Sequence, residues 1–549
     1  MGKWIICSAW PYINAIPHLG TMIGSVLSAD VFARYLRLKG EDVIFVSGSD
    51  EHGTPIEVEA IRKKVDPKEY TDKMHKIAVE VFEKWGISFT NYSRTENPVH
   101  IKFVQDFYKK VEQKGYIFTK NQEMLYCPNC QRFLPDRFVE GTCPYCGYEK
   151  ARGDQCDNCG RMLEPTQLIN PKCVICGGTP IVRETKHWFF NLSAFQDKLK
   201  KYIEENQQFP ENARNFSLQL INEGLRPRSL TRDNKWGIPA PFDGAKGKTI
   251  YVWMEAVLGY VSATIEWSKR IGQEELWKKY WFDMDTKSVY FIAKDNIPFH
   301  TLIFPALLMA SGDDYVLPWQ VASTEFLLFE GEKFSKSRGV GIDALHALDL
   351  FPADYYRYAL ISLRPETRDS SFKWDTFVSL INDELNDIAG NFIHRILSFS
   401  HKNFDGKIPA RNGITEDDKE IIEILRKTPD IVGKNLERFS YRAALQQVMN
   451  LMRAGNQYFT RNEAWKIIKS DKSRVATVVN LCAQLIGSFA ILLEPFLPFT
   501  AEKIWNTLLN LEGSVHEQRW EKAKEFAVPE NHPINKPKPL FKKIEKPKF

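Results

Sequence analysis

Eight of the ten cysteines fall between residues 127 and 176 as four C-x-x-C pairs: Cys127/Cys130, Cys143/Cys146, Cys156/Cys159 and Cys173/Cys176. One such pair lets two thiolates of a tight turn reach the same ion, and two pairs complete a closed tetrahedral zinc site of four thiolates. Eight ligands therefore predict two zinc ions. A closed set leaves no coordination position for substrate, so both zincs are expected to be structural. Disulfides or redox pairs are the competing reading, but disulfide scaffolds belong to short secreted chains, and this one has 549 residues. Cys7 and Cys482 lie in apolar runs and read as core.

Two other stretches have the residue types for phosphate chemistry. "PHLG" (17–20) sits where an apolar run hands over to an amphipathic one. A helix N-terminus there offers free N–H groups and the positive end of a dipole. Gly20 opens the backbone to a flat base or phosphate, and His18 supplies a hydrogen bond to a phosphoryl oxygen. "KFSKS" (333–337), bounded by Gly331 and Gly339, places two lysines in one loop. Such a loop can close on a triphosphate and neutralise charge on a departing pyrophosphate. Taken singly, each stretch also reads as a capped turn or a solvated loop. "GAKGKT" (244–249) imitates a Walker A loop, but Phe242 stands where the first glycine belongs, so the spacing fails.

These segments need a scaffold. Residues 4–8 read as a buried strand, 19–39 as a helix with Ile23, Val26, Leu27, Val31 and Leu38 on one face, and "DVIFVS" (42–47) as a second strand. Strand, helix and strand in so short a span predict a βαβ unit and a parallel sheet, whose ligands bind at the carboxyl ends of strands. The opening stretch and "SGSDEHGTP" (47–55) both fall there. The cysteine segment interrupts the pattern from 116 to 235. The pattern resumes at "TIYVWMEAVLGY" (249–260) and "SVYFIAKDNIPFH" (288–300), each expected to be a strand followed by a turn or helix. From 376 the chain reads as helices only, the longest holding apolar spacing from Val475 to Leu493 until Pro495 and Pro498. The Lys- and Pro-rich tail from 534 is expected to be extended or disordered.

Composition agrees with a soluble multidomain chain: 43% hydrophobic, 26% charged, net charge +5. The small net charge confines any nucleic-acid surface to a local patch. No signal peptide is evident and no apolar run is long enough to cross a bilayer. A cytoplasmic location without membrane contact is expected.

Together, "PHLG" and "KFSKS" on an α/β sheet resemble the paired HIGH and KMSKS signatures of class I aminoacyl-tRNA synthetases. "SAWPYINAIPHLG", "SGSDEHGTPI", the four knuckles, "ETKHWFFNLS" (184–193), "YVWMEAVLGY" and "AKDNIPFH" follow in the order seen in the methionyl branch of that family, so the resemblance covers about residues 3–510. It implies a Rossmann-like catalytic domain (1–115 and 236–325) split by the zinc-knuckle insertion (116–235). A KFSKS stem-contact region (326–375), an all-α anticodon-binding bundle (376–533) and a basic tail (534–549) would follow.

The resemblance further implies a two-step ligase reaction: methionine and ATP give methionyl-adenylate, and the methionyl group then passes to the terminal adenosine of tRNA(Met). His18, Gly20, Lys333 and Lys336 would form the catalytic set, with Pro17, Ser335 and Ser337 completing the ATP contacts. Asp50 would pair with the substrate ammonium. The methionine pocket would be built from Ala9, Trp10, Tyr12, Trp253, Ala256, Tyr260 and His300, with Tyr12 and His300 offering weak hydrogen bonds to the sulfur. An aromatic well suits a soft thioether. Lys294 and Asp295 would orient ATP or substrate, and Arg232 and Asp233 would lie near the pocket mouth. One zinc would be held by Cys143, Cys146, Cys156 and Cys159 and the other by Cys127, Cys130, Cys173 and Cys176, with Mg2+ accompanying ATP. Asn391, Arg395 and Trp465 would read the anticodon.

Two residues depart from the family pattern. Phe334 replaces the usual Met of the lysine loop and is expected to pack away from ATP; Ala464 replaces a Pro before Trp465. Synthetases for Val, Ile and Leu carry a large editing domain, because one methylene gives only about 10–200-fold discrimination. The small, cysteine-filled insertion argues against them. A synthetase for cysteine would place its zinc ligands on the catalytic sheet. A non-catalytic zinc-ribbon RNA binder would have no use for His18, Asp50 and Lys336 together. With no further domain after the bundle, a monomer is expected, with a separate tRNA-binding partner docking on the basic tail.

Overall fold

The computed structural model describes residues 2–153, 156, 158–159, 161, 163–334 and 339–548. Ser335, Lys336 and Ser337 of the lysine loop therefore lie outside the described residues.

The chain opens with β1 (Lys3–Ser8) and a helical run that starts at Leu19 and, after a wide π-type turn over Met22–Val26, becomes α1 (Leu27–Lys39). Gly40 ends α1 in the left-handed region (φ +83°), where its lack of a side chain satisfies the last carbonyls without strain. β2 (Asp42–Ser49), α2 (Pro67–Lys84, capped by Asp66) and β3 (Asn91–Arg94) follow. β4 (Ile117–Cys127) and β5 (Ile181–Phe190) form a long antiparallel hairpin in register from Ile117↔Phe190 to Tyr126↔Ile181. That register brings the first and last cysteine pairs to one end of the ribbon. The intervening pairs hang on a small three-stranded sheet, Val139–Thr142 between Ala151–Arg152 and Ile169–Cys173.

The chain then returns through α3 (Val252–Ala256), α4 (Gly259–Arg270), β6 (Lys287–Ala293) and β7 (Gln320–Thr324). The expected strand at 249–250 is only a two-residue antiparallel pairing with Thr231–Arg232, outside the parallel sheet. Helix α3 begins directly after it, leaving no length for a sheet strand. All pairings of the main sheet are parallel, in the order β7-β6-β1-β2-β3. The order reverses direction at β1/β6, the place where such sheets open a ligand crevice.

Helices α5 (Asn391–Asn403), α6 (Glu416–Glu437), α7 (Tyr441–Arg461) and α8 (Lys472–Leu493) form the carboxyl-terminal bundle. Helix α8 is long and apolar enough to cross a membrane, but its apolar stretch is wholly buried inside the protein, which makes it a core helix. The bundle packs on the outer face of α1. Asp30 is fully buried between Arg34 (2.9 Å) and Arg357 (2.8 Å), and Arg34 also reaches Glu494 just past α8.

The tail is extended but not disordered. Phe541 is 3% exposed, packed against Tyr355 and Gly390, and the Asn382 side chain bonds both the N–H and the C=O of Ile544. Two apolar anchors, Ile534 and Phe541, hold a segment whose overall composition reads as solvated.

Candidate functional site

A cavity of about 430 Å3 opens at the carboxyl ends of β1, β2 and β6. One end is apolar and aromatic. The Trp10 ring fills the gap between two glycines: a Cβ on Gly48 would lie 2.6 Å from it and one on Gly259 2.5 Å. Trp253 stacks on Phe299 at 5.0 Å and stays 37% exposed to the cavity mouth. Ala9 and Ala256 keep the wall thin, and Tyr12, Tyr260 and His300 close the far side.

The polar atoms of that far side are already committed. The Tyr12 hydroxyl donates to the His52 carbonyl (2.7 Å) and accepts from the Ile56 N–H (3.3 Å). His300 faces the Asn296 carbonyl with Nδ1 (3.0 Å) and Tyr260 Oη with Nε2 (2.8 Å). A carbonyl can only accept, so the His300 proton sits on Nδ1 and Nε2 receives the Tyr260 O–H. Burial lowers His300 to about 4, which agrees with a neutral ring. The expected hydrogen bonds from Tyr12 and His300 to a thioether sulfur are therefore not on offer in this arrangement. The well selects by shape and aromatic contact.

Asp50 lines the same cavity at the end of β2. It is 4% exposed, and its Oδ1 is buried without a hydrogen-bond partner. Burial, followed by the Glu255 charge, pushes its carboxyl well above the usual range, while the His52 ring and backbone N–H oppose that rise. A buried carboxylate with an orphan oxygen is built for a cationic guest.

At the opposite end, His18 caps the turn Leu19–Thr21 and its Nδ1 accepts the Thr21 N–H (3.3 Å). Nε2 is then the protonated nitrogen, and burial lowers His18 to about 4, so it presents a neutral N–H donor to the cavity. Gly20 stands beside it, and Lys333 lines the cavity from the lysine loop. Pro17 does not line the cavity. Its carbonyl takes the Ala344 N–H (2.8 Å), and His18 bridges to Asp343, which ties the start of the helix Ala344–Leu350 beyond the lysine loop to the signature turn. Phe334 does not pack away from the nucleotide end. Its ring lies flat on His18, centroids 4.3 Å apart and planes at 8°. Two flat rings of similar size gain contact by stacking.

Asp295 lines the cavity; Lys294 instead pairs with Glu325 (2.6 Å) and Asp369 (3.0 Å). Asp233 is not at the pocket mouth but joins His187 (3.0 Å) and Lys248, and the Arg232 guanidinium lies 3.9 Å from the Tyr251 ring centre. That pairing also occupies the lysine of the Walker-like stretch. Sequence reasoning missed Thr21, which stands where the HIGH signature has its second His. It also missed a buried clamp in which His52 bonds Glu255 (2.7 Å) and Glu96 (2.8 Å).

The cysteines sort into the two expected sets, Cys127/Cys130/Cys173/Cys176 and Cys143/Cys146/Cys156/Cys159, each with its sulfurs within 4.8 Å of one another. Sulfur pairs such as Cys127–Cys176 (3.5 Å) and Cys143–Cys159 (3.9 Å) straddle the edge of about 3.8 Å expected for a tetrahedron with Zn–S bonds of about 2.3 Å. All eight are unbridged thiols. The donor chemistry and spacing fit zinc.

In the bundle, Asn391 and Arg395 are exposed on α5. Arg395 bonds Asn456 (2.9 Å) and covers the Phe459 ring, which in turn touches Trp465, itself 44% exposed.

A family model described as "tRNA synthetases class I (M)" matches residues 4–397, and one described as "Anticodon binding domain of methionyl tRNA ligase" matches 408–548. Curated relatives named methionine–tRNA ligase, from Korarchaeum cryptofilum and Thermofilum pendens, are 55% and 53% identical; each alignment takes in 99% of this chain and 96% or 95% of the relative. A solved structure of Mycobacterium tuberculosis methionyl-tRNA synthetase in complex with methionyl-adenylate superposes with a TM-score of 0.81 at 26% identity, covering 98% of this chain and 100% of that one.

Proposed function

The chain belongs to the methionyl-tRNA synthetases of class I and is a methionine–tRNA ligase, and on that premise we propose how its residues divide the work. The methionine side chain enters the well of Ala9, Trp10, Tyr12, Trp253, Ala256, Tyr260 and His300, and its ammonium group pairs with Asp50. A carboxylate oxygen of methionine attacks the α-phosphorus of ATP, and pyrophosphate leaves with the electron pair of the broken P–O bond. His18 donates its Nε2–H to the crowded phosphoryl group, and Lys336 shares in stabilising its charge. Gly20 admits the nucleotide, Lys333 draws off the pyrophosphate, and Pro17, Ser335 and Ser337 shape the ATP contacts. A hydroxyl of the terminal adenosine of tRNA(Met) then attacks the methionyl carbonyl, and AMP leaves. Catalysis is mainly positioning and charge stabilisation.

The same reading divides the chain into a catalytic domain (1–115, 236–325), a zinc-bearing insertion (116–235), a stem-contact region (326–375), an anticodon bundle (376–533) and a basic tail (534–549). Two zinc ions staple the insertion, Mg2+ travels with ATP, and Asn391, Arg395 and Trp465 meet the anticodon. The enzyme works as a cytoplasmic monomer, with the basic tail available to a tRNA-binding partner.

One observation carries this reading: a single cavity joins Trp10, Asp50 and Tyr260 at one end to His18 and Lys333 at the other. ATP–pyrophosphate exchange with each amino acid in turn tests it. Methionine alone should support exchange. Exchange without any amino acid, or with valine or isoleucine but not methionine, would overturn it. Metal analysis should return two zinc ions per chain.

A further inference from the structure

Beneath the amino-acid end of the cavity lies a buried charge cluster that the two-step chemistry does not use. His52 is 1% exposed and follows Asp50 by two residues. Its Nδ1 lies 2.7 Å from Glu255 Oε1 on α3, and its Nε2 lies 2.8 Å from Glu96 Oε1 beyond β3. Glu255 is fully buried. Ionised carboxylates only accept, so two carboxylate partners require a proton on each ring nitrogen. The ring is therefore an imidazolium in the protein interior. The His52 ring and backbone N–H both favour the ionised form of Asp50, and the His52 carbonyl holds the Tyr12 hydroxyl of the methionine well.

We propose that His52 is a positioning residue: an imidazolium clamped between Glu96 and Glu255 that keeps Asp50 ionised and in place to receive the α-ammonium group of methionine. The proposal rests on the reading of Asp50 as the ammonium partner. The physical need is plain. Asp50 is buried beside the carboxylate of Glu255, and both burial and that neighbour favour its neutral form. A fixed cation two residues away is the nearest opposing charge. Burial alone would neutralise the His52 ring, but Glu255 first and Glu96 next override it and raise it to about 10, so the clamp holds its charge through the physiological range.

The other groups facing this cluster are accounted for. Glu51 is held by Arg94 (2.9 Å), which also pairs with Asp72, while burial lifts Glu51 to about 7. His75, 4.0 Å from Glu51, and His100, whose ring packs on Trp10, are lowered by burial to about 4 and about 3. Tyr12 and Tyr260 are pushed up by burial and stay neutral, and Arg137 faces Tyr12. Of these only Glu51 titrates between pH 5.5 and 8, and it is unchanged in the variants below.

The test is the pH dependence of methionine binding to the full-length protein, followed by the fluorescence of Trp10 and Trp253, with no ATP present. In His52→Gln the acid limb of the affinity profile should move up by about one pH unit, so that methionine binding weakens by up to about tenfold at pH values below the limb and is little changed above it. Glu96→Gln, a change at the outer edge of the clamp, should move it the same way by less and serves if His52→Gln does not fold. Asp50→Asn separates the ammonium contact from the clamp beneath it. If it leaves methionine affinity intact, the ammonium reading fails. If it abolishes binding while the acid limb stays put in both clamp variants, the ammonium reading stands and the proposed role of His52 is wrong.

Discussion

The Phe334 ring covers the His18 imidazole face to face at 4.3 Å, so the residue that replaces methionine in the lysine loop occupies one face of the histidine proposed to meet the nucleotide. A Cβ on Gly20 would lie 3.2 Å from Phe334, which places the ring within the approach to the ATP end. On the proposed role of His18, ATP must displace this stack.

Phe334→Ala should therefore lower the KM for ATP in the exchange reaction by about 2- to 10-fold, the equivalent of one aromatic pair of about 0.5–1.5 kcal/mol. The KM for methionine should hold. An unchanged or raised KM for ATP would mean that Phe334 moves away at no cost or contributes to nucleotide binding.

Gly259→Ala tests the methionine well. The new methyl would sit 2.5 Å from the Trp10 ring, itself pressed from the other side by Gly48. Overpacking of this kind costs about 1–3 kcal/mol. Trp10 must swing into the cavity, so the KM for methionine should rise about tenfold or more with that for ATP nearly constant. Equal losses on both substrates would point to general unfolding.

The buried charge cluster of Asp30, Arg34 and Arg357 beneath α1 sets a pH dependence of stability. Burial opposes the ionised form of Asp30, but Arg34 first and Arg357 next hold its carboxyl at about 2 against an ordinary 3.8. A depressed carboxyl contributes stability above its ordinary value and loses it as pH falls through the folded one. Urea midpoints should drop steeply between about pH 4 and pH 2. Arg357→Met should cost about 3 kcal/mol, the low end for a broken buried pair because Arg34 still faces the carboxylate, whereas Asp30→Asn combined with Arg357→Met should cost less than the single change. A larger loss in the double variant would contradict the pairing.

Much of this architecture is written in local spacing. The βαβ start follows from apolar periodicity, and two zinc sites follow from the count and pairing of C-x-x-C turns, because those ligands are close in sequence. The His52 clamp is different: its partners lie 44 and 203 residues away, and no periodicity announces a contact made only by the packing of α3 under β2. The Phe334 stack escapes sequence reading for a related reason, since the ring's direction is set by Gly341, where a Cβ would meet it at 2.4 Å, and not by the loop sequence. The tail is half legible; its lysines and prolines predict extension, but the buried Ile534 and Phe541 fix it in place.

In the bundle, the exposed Arg395 and Trp465 flank the buried Phe459 ring. Trp465→Ala should raise the KM for tRNA(Met) by about 10- to 100-fold, the loss expected for one stacked base at about 1–3 kcal/mol. Amino-acid activation without tRNA should be unaffected. A fall in activation would show that Trp465 supports the fold instead.

The central claim is that this chain joins methionine to tRNA(Met) through one cavity. It is tested most directly by charging purified tRNA(Met) with labelled methionine, wild-type chain beside His18→Ala. The account predicts charging by the wild type that leucine and isoleucine do not replace, and a loss of at least about a hundredfold in the variant. Wild-type rates in His18→Ala, or charging with leucine at the rate of methionine, would contradict it.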